Sequence, residues 1–314
     1  MTFEMANTIF QLPFMELLYK AHSIHKENFN PNMLQTSTLL SVKTGACSEN
    51  CSYCAQSSHY QTGIEKEKML DTIQILEYAK LAKQKGSTRF CMGASGRSPT
   101  EKELESICDT IKEIKKIGLE TCVTLGLLND AQAKKLKDSG LDFYNHNIDT
   151  SKEYYSKVIT TRTFENRLDT IKNVRDAGLK ICVGGILGMG ESNTDRINML
   201  VLLANLPIPP ESIPINQLVR IPGTPLENGE ELDTFDFVRT IALARILMPK
   251  SYIRLSAGRT QMSDELQALC FFAGANSVFY GDRLLTTKNT TPSRDDDLFQ
   301  RLNLEKEVFV EMQA

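Results

Sequence analysis

Four times in this chain an amphipathic stretch ends in a glycine that is followed at once by an apolar, β-prone run: KGSTRFCMG at Gly86, IGLETCVTL at Gly118, SGLDFYNHN at Gly140 and AGLKICVGG at Gly178. Glycine at the residue after a helix supplies the left-handed turn that ends it. A helix that leads straight into the next strand means βαβ units and hence parallel pairing. The strands read as 37–43, 88–93, 120–125, 142–147, 179–185, 213–219, 251–256 and 276–280. Helical spacing covers 68–85, 100–117, 163–177, 193–205, 234–247 and 263–273, with Thr100 and Glu103 spaced as a capping box. Eight alternating strands in 314 residues predict an α/β fold, a (β/α)8 TIM-type barrel. Residues 12–29 have helical apolar spacing ahead of the first strand and are expected to cap the barrel bottom. The chain after 285 is polar. The expected organisation is a single domain over 1–314: an N-terminal helical cap at 1–35, the barrel at 36–285 and a short C-terminal tail at 286–314.

Composition narrows the function. Hydrophobic residues are 41% and charged residues 24%, enough for a sizeable core and against intrinsic disorder. With 36 basic against 39 acidic side chains and no isolated Lys/Arg block, nucleic acid is not the expected partner. No apolar run approaches the roughly 18 residues that span a bilayer, and the start MTFEMANTIF has an acidic residue where a signal peptide needs basic ones. A cytoplasmic location, with no membrane association, is the expectation. Eight cysteines in a reducing compartment point to metal or redox chemistry in place of disulfides. The four histidines have no zinc-helix or zinc-finger spacing, so sulfur must dominate any metal site.

The most specific local signal is Cys47, Cys51 and Cys54 in C-x3-C-x2-C register, in the loop after the first strand. A cubane iron–sulfur cluster commonly takes four thiolates, so three leave one iron open to a small molecule. The competing reading is zinc, completed by His59 or a distant thiol. Location at the C-terminal end of a barrel strand favours catalysis. Cys91, Cys122 and Cys182 each stand inside a predicted strand. Side chains alternate across a strand, so three strands can converge their thiols inside a barrel, although strands two, three and five would make the site straddle layers. Cys108 and Cys270 fall on apolar helix faces and read as packing residues. Asn145, Asn147 and Asp149 share one parity, so either a polar ligand, a mutual network or rim water must satisfy them. The run GGILGMGE, with Gly184 and Gly185, could let backbone approach a cofactor closely. Arg254, in a predicted strand, would by elementary electrostatics be paired with a carboxylate.

The three-cysteine motif, with the aromatic Tyr53 before its third Cys and a βα barrel behind it, resembles the radical S-adenosylmethionine (SAM) superfamily. The wider set LLSVKTGACSENCSYCAQSS, RFCMGAS, YNHNIDTS, VGGILGMGE, VRIPGTPL and IRLSAGR resembles the biotin synthase family over nearly the full chain. That resemblance implies a [4Fe-4S] cluster on Cys47, Cys51 and Cys54 with SAM on its open iron. It also implies a [2Fe-2S] cluster inside the barrel on Cys91, Cys122, Cys182 and Arg254. SAM contacts would come from Asn147, Asp149, Tyr53, Gly184 and Gly185, and substrate contacts from Asn147 and Asn216. The implied reaction inserts sulfur from the [2Fe-2S] cluster into dethiobiotin to give biotin, with two SAM consumed and no acid–base residue needed for the first hydrogen abstraction. A homodimer, a flavodoxin-type electron donor and iron–sulfur assembly proteins are the implied partners. Another radical SAM barrel need not keep the inner foursome, and a zinc- or cluster-bearing binding protein would show no turnover.

Overall fold

The structure, a computed structural model, describes residues 1–308. Two helices, α1 (Phe3–Phe10) and α2 (Phe14–Asn28), precede the first strand, β1 (Met33–Lys43). Strands and helices then alternate: α3 (Thr72–Gln84), β2 (Arg89–Ala94), α4 (Glu101–Ile117), β3 (Glu120–Thr124), α5 (Asp130–Asp138) and β4 (Phe143–Asn145). The second half runs α6 (Lys152–Val158), α7 (Phe164–Asp176), β5 (Lys180–Cys182), β6 (Gly185–Leu187), α8 (Asn193–Ala204), β7 (Ser212–Gln217), α9 (Thr234–Leu247), β8 (Tyr252–Leu255), α10 (Asp264–Phe272) and β9 (Ser277–Phe279). Helix α11 (Pro292–Arg301) and strand β10 (Glu305–Lys306) end the described chain.

All the strand pairs are parallel, in the order β1-β2-β3-β4-β5-β7-β8-β9, and β9 pairs back onto β1. The sheet is therefore a closed eight-stave (β/α)8 barrel. Strand β6 continues the stave of β5, splitting the stretch read from sequence as one strand, 179–185. Pro214 of β7 faces this break; it has no N–H to donate, and a Cβ on Gly184 would lie 2.0 Å from its carbonyl oxygen. Pairing stops at Cys182 with Ser212 and resumes at Gly185 with Ile215. The Thr100/Glu103 capping box is present at the start of α4, and Gly118 ends that helix in the left-handed conformation (φ 77°).

Helix α1 packs on α8 and α9, and α2 on α9 and α10. Phe29, at the end of α2, meets the Tyr252 ring of β8 at 5.2 Å in a tilted pair. The polar tail folds back: Leu298 and Phe299 are buried, a buried Arg259–Asp295 pair at 2.6 Å anchors α11, and β10 pairs with the start of β1.

Strand parity divides the two faces of the barrel wall. Outward residues such as Phe90, Met92, Val123, Ile181, Ile213, Ile253 and Val278 form the apolar layer under the helices. The inward face is unusual for this fold, whose interior is ordinarily branched aliphatic. Here Cys91, Cys122, Phe143 and Cys182 form a separate interior cluster, flanked by Leu39 and Phe279.

Candidate active site

The loop after β1 is shaped before any ligand enters it. Gly45 (φ 76°) and Ala46 (φ 51°) turn the chain, and a Cβ at Gly45 would lie 2.6 Å from the Glu65 carbonyl oxygen. Cys47 is fixed on both sides, its N–H donating to Gln56 (2.9 Å) and its carbonyl accepting from Ser58 (2.8 Å). The Cys54 N–H donates to the Cys51 carbonyl (2.9 Å), closing a turn between the two cysteines. Glu49, only 2% exposed, pairs with Arg97 (2.9 Å), Arg162 (3.7 Å) and Thr161, and Arg162 Nη2 stands 3.6 Å from Cys51 Sγ. Burial pushes the Cys51 thiol up, opposed in part by Arg162, and pushes Cys54 up to about 12. His59, which sequence left open as a zinc ligand, is exposed and bonds the Ser48 carbonyl through Nε2 at 3.1 Å.

Closure of the barrel brings the strand thiols together. Cys91 and Cys122 are register partners on β2 and β3, while Cys182 is level with Asn145, one inward position beyond Phe143. The site climbs a rung, as the alternation of strands requires. The Cys122 thiol, fully buried between Cys91 and Cys182, is held well above the ordinary thiol range by its two thiol neighbours and by burial. Accepting from Cys122, with the Arg254 guanidinium nearby, brings Cys91 and Cys182 down despite burial.

Arg254 overturns the electrostatic expectation. It is 1% exposed, yet no carboxylate pairs with it among the described residues. Its Nε donates to Ser277 Oγ (2.9 Å) and its Nη2 to Ser37 Oγ (3.1 Å) and Gln35 Oε1 (3.3 Å). Nη1 points at Cys182 Sγ at 3.9 Å, and the group stacks 4.8 Å from the Phe279 ring. The positions opposite β8 inside the barrel carry hydroxyls, an amide and thiols, so the anionic partner a buried guanidinium calls for is sulfur.

One cavity of about 330 Å³ joins the two thiol sets: Cys47, Cys51, Tyr53 and Cys54 line it at the loop, and Cys91, Cys122 and Arg254 at the depth. Asn145, Asn147, Asp149 and Asn216 are on its wall. Among the described residues no three thiol, imidazole or carboxylate groups are drawn together as around a single ion; the thiols spread along the wall. Asp149 has φ 68° and is 2% exposed, its Oδ2 accepting from Arg167 Nη2. A non-glycine residue held in that region, over a cavity, marks a constrained site. Asn147 Oδ1 accepts from the Gly184 N–H (3.2 Å), leaving its Nδ2 for the cavity. Asn216 donates to the Gly185 carbonyl (2.9 Å) and accepts from the Ala257 N–H (3.1 Å), so backbone fixes its amide plane.

Gly184 and Gly185 are packed closely by their neighbours: a Cβ at Gly184 would strike Pro214, and one at Gly185 would lie 2.2 Å from Met199 Sδ and 2.6 Å from the Asp149 carbonyl oxygen. The cavity wall passes through Ile186. Sequence reasoning missed Glu49, Arg162 and Arg167, the ionic frame behind the loop thiols and Asp149. An arginine at helical spacing ordinarily reads as a solvated face, and only the unusual density of Arg162 and Arg167 after TT hinted otherwise.

Comparison with known proteins agrees with this geometry. Residues 41–204 match the family model of the radical SAM superfamily, and residues 214–305 that of the Biotin and Thiamin Synthesis associated domain. The chain is 62% identical over 303 residues to the biotin synthase of Rickettsia felis, covering 96% of this chain and 98% of that protein. It is 61% identical over 305 residues to that of Neorickettsia sennetsu, covering 97% and 94%. Methylornithine synthase superposes with a TM-score of 0.81 at 19% identity, covering 98% of this chain and 94% of that one. An FeFe-hydrogenase maturase from Carboxydothermus hydrogenoformans gives 0.84 at 18%, covering 99% and 77%. These two likenesses concern the fold. With near-full coverage by relatives this similar, the chain belongs to the biotin synthase family of radical SAM enzymes.

Proposed function

We propose that this chain converts dethiobiotin to biotin by radical sulfur insertion, as a single-domain cytoplasmic enzyme. The observation that carries the reading is one cavity with three loop thiols at its mouth and Cys91, Cys122 and Arg254 at its depth, with Cys182 packed against those two thiols. The donor sets fit: Cys47, Cys51 and Cys54 would hold a [4Fe-4S] cluster with SAM, and Cys91, Cys122, Cys182 and Arg254 a [2Fe-2S] cluster. When bound, these groups supply a primary carbon radical able to take hydrogen from unactivated C–H bonds and the sulfur that replaces it.

The chain's own residues bind, orient and exclude water. Asp149 has one oxygen on Arg167 and the other available to accept from the ribose hydroxyls of SAM. The free Nδ2 of Asn147 donates to a ureido carbonyl, and Asn216, held by Gly185 and Ala257, presents a fixed amide edge to the same ring. Tyr53 covers the cavity beside Cys54, and Leu39 and Phe279 close the depth against water. No side chain is required to take a proton from carbon, consistent with a wall that offers amides, thiols and guanidinium groups there. A homodimer, a flavodoxin-type electron donor and iron–sulfur assembly proteins complete the proposal.

Anaerobically purified protein should contain iron and acid-labile sulfide, and should form biotin from dethiobiotin with SAM and a low-potential reductant. Zinc without sulfide, and no turnover, would leave a metal-bearing binding protein as the better reading.

A further inference from the structure

The barrel has a second cavity, of about 360 Å³, at the opposite end from the loop thiols. Its lining includes Arg89, Lys180 and Lys250, with Phe143 in the roof. Arg89 is 1% exposed and gives Nε and Nη2 to Glu120 (3.0 and 2.8 Å), but its Nη1 is buried with no partner among the described residues. A buried guanidinium N–H without an acceptor is costly and marks a place where an acceptor belongs. The carboxylates of the lining are engaged elsewhere. Glu120 is taken by Arg89, and Glu211 by Arg175 at 2.7 Å. Glu307 accepts from the Tyr252 hydroxyl (3.1 Å). No carboxylate lies within ion-pair distance of Lys180 or Lys250 among the described residues, so two ammonium groups without an ion-pair partner and one unsatisfied guanidinium donor face the cavity.

One aromatic ring separates this cavity from the inner thiols. Arg89 Cζ lies 3.6 Å from the Phe143 ring centroid and Lys180 Nζ 5.3 Å from it. The same ring packs against Cys91, Cys122 and Cys182. We infer that the barrel floor binds a small sulfur anion, hydrosulfide, on Arg89, Lys180 and Lys250, and is a second route to the inner thiols past Phe143. The inference rests on the proposed function, in which sulfur leaves the inner site and must be replaced. The upper cavity is then filled by substrate and SAM, and the floor lies apart from both. Binding and passage move the anion without changing its oxidation state.

The test uses the full chain carrying Cys51→Ala, so that the loop site cannot contribute, with ferric iron and sodium sulfide added anaerobically at low salt, so that no oxidant is needed to form the cluster. The growth of visible absorbance from the inner site is followed in time. Lys180→Glu with Lys250→Glu should slow it about tenfold, a loss that shrinks as salt is raised, because the attraction is screened. Lys180→Arg with Lys250→Arg should keep the parental rate. Equal rates for the Glu and parental proteins, or an Arg protein as slow as the Glu protein, would overturn the floor route while leaving the inner site standing. A parent that gains no absorbance at all would instead sink the inner-site assignment, and the route with it.

Discussion

The loop thiols and the strand thiols are brought together by opposite means. Cys47, Cys51 and Cys54 lie within eight residues, and their arrangement is local: backbone hydrogen bonds at Cys47 and Cys54 and a turn at Gly45 and Ala46 shape them. Cys91, Cys122 and Cys182 span three strands, and they meet only because the sheet closes. The local set sits in a loop framed by ions, with Glu49, Arg97 and Arg162 behind it. The distant set sits inside the barrel and is framed by neutral hydroxyls and an amide around the Arg254 guanidinium. A loop can open to admit a small molecule, whereas a barrel interior holds its contents against water.

The largest effect should come from the local set. Cys51→Ala leaves two loop thiols, too few to hold a cubane with an iron free for SAM, so reductive formation of 5′-deoxyadenosine should vanish while the inner-site spectrum stays. Wild-type SAM cleavage in that variant would break the distinction between the two sets. Next is the wall that joins them. Asn147→Ala removes an amide N–H group of the cavity wall and should weaken dethiobiotin binding by about 1–3 kcal/mol, up to roughly 100-fold, with both cluster spectra unchanged. Normal affinity and turnover would return Asn147 to a purely structural bond with Gly184.

Arg254→Ala probes the distant set alone. Had a carboxylate been paired with it, the loss would be about 3–5 kcal/mol. With hydroxyl and amide partners, and Ser277 already bonded to Gln35 at 2.6 Å, the cost should be about 1–2 kcal/mol by urea denaturation. The inner-site spectrum should shift and biotin formation should fall without disappearing. Arg254→Lys, which keeps the charge and loses the planar fork, should show the same altered spectrum. A well-folded Ala variant with an unaltered inner spectrum would remove Arg254 from the ligand set. The smallest effect belongs to a cysteine outside both sets: Cys270→Ala, fully buried on α10, should cost about 1 kcal/mol in thermal denaturation and leave both spectra and SAM cleavage intact.

Much of the barrel could be read from the residue order because its signals are short-range. The glycines at 86, 118, 140 and 178 all adopt positive φ, and the Thr100 capping box forms. What failed depended on neighbours distant in sequence. The break at Gly184 comes from Pro214 on the adjoining strand. Helices α5 and α6, nine and seven residues long, are too short for apolar periodicity to announce them. Helix α11 carried a Thr-Pro start but is polar, and it is the buried Arg259–Asp295 pair that fastens it.

Residue order alone determined the alternation of strand and helix, the three-thiol loop and its register, because each depends on backbone geometry or on spacing within a few residues. It could place one thiol on each of three strands but not the distance between them, since parity sets only which face a side chain takes. Barrel closure set that distance, and with it the single cavity from Cys54 down to Cys122. Closure also settled the surroundings of Arg254. Charge considered residue by residue called for a carboxylate, but the strands that come to face β8 present Ser37, Gln35, Ser277 and Cys182. The partner of a buried charge is chosen by whichever chain segment packs opposite it, and that segment can lie two hundred residues away.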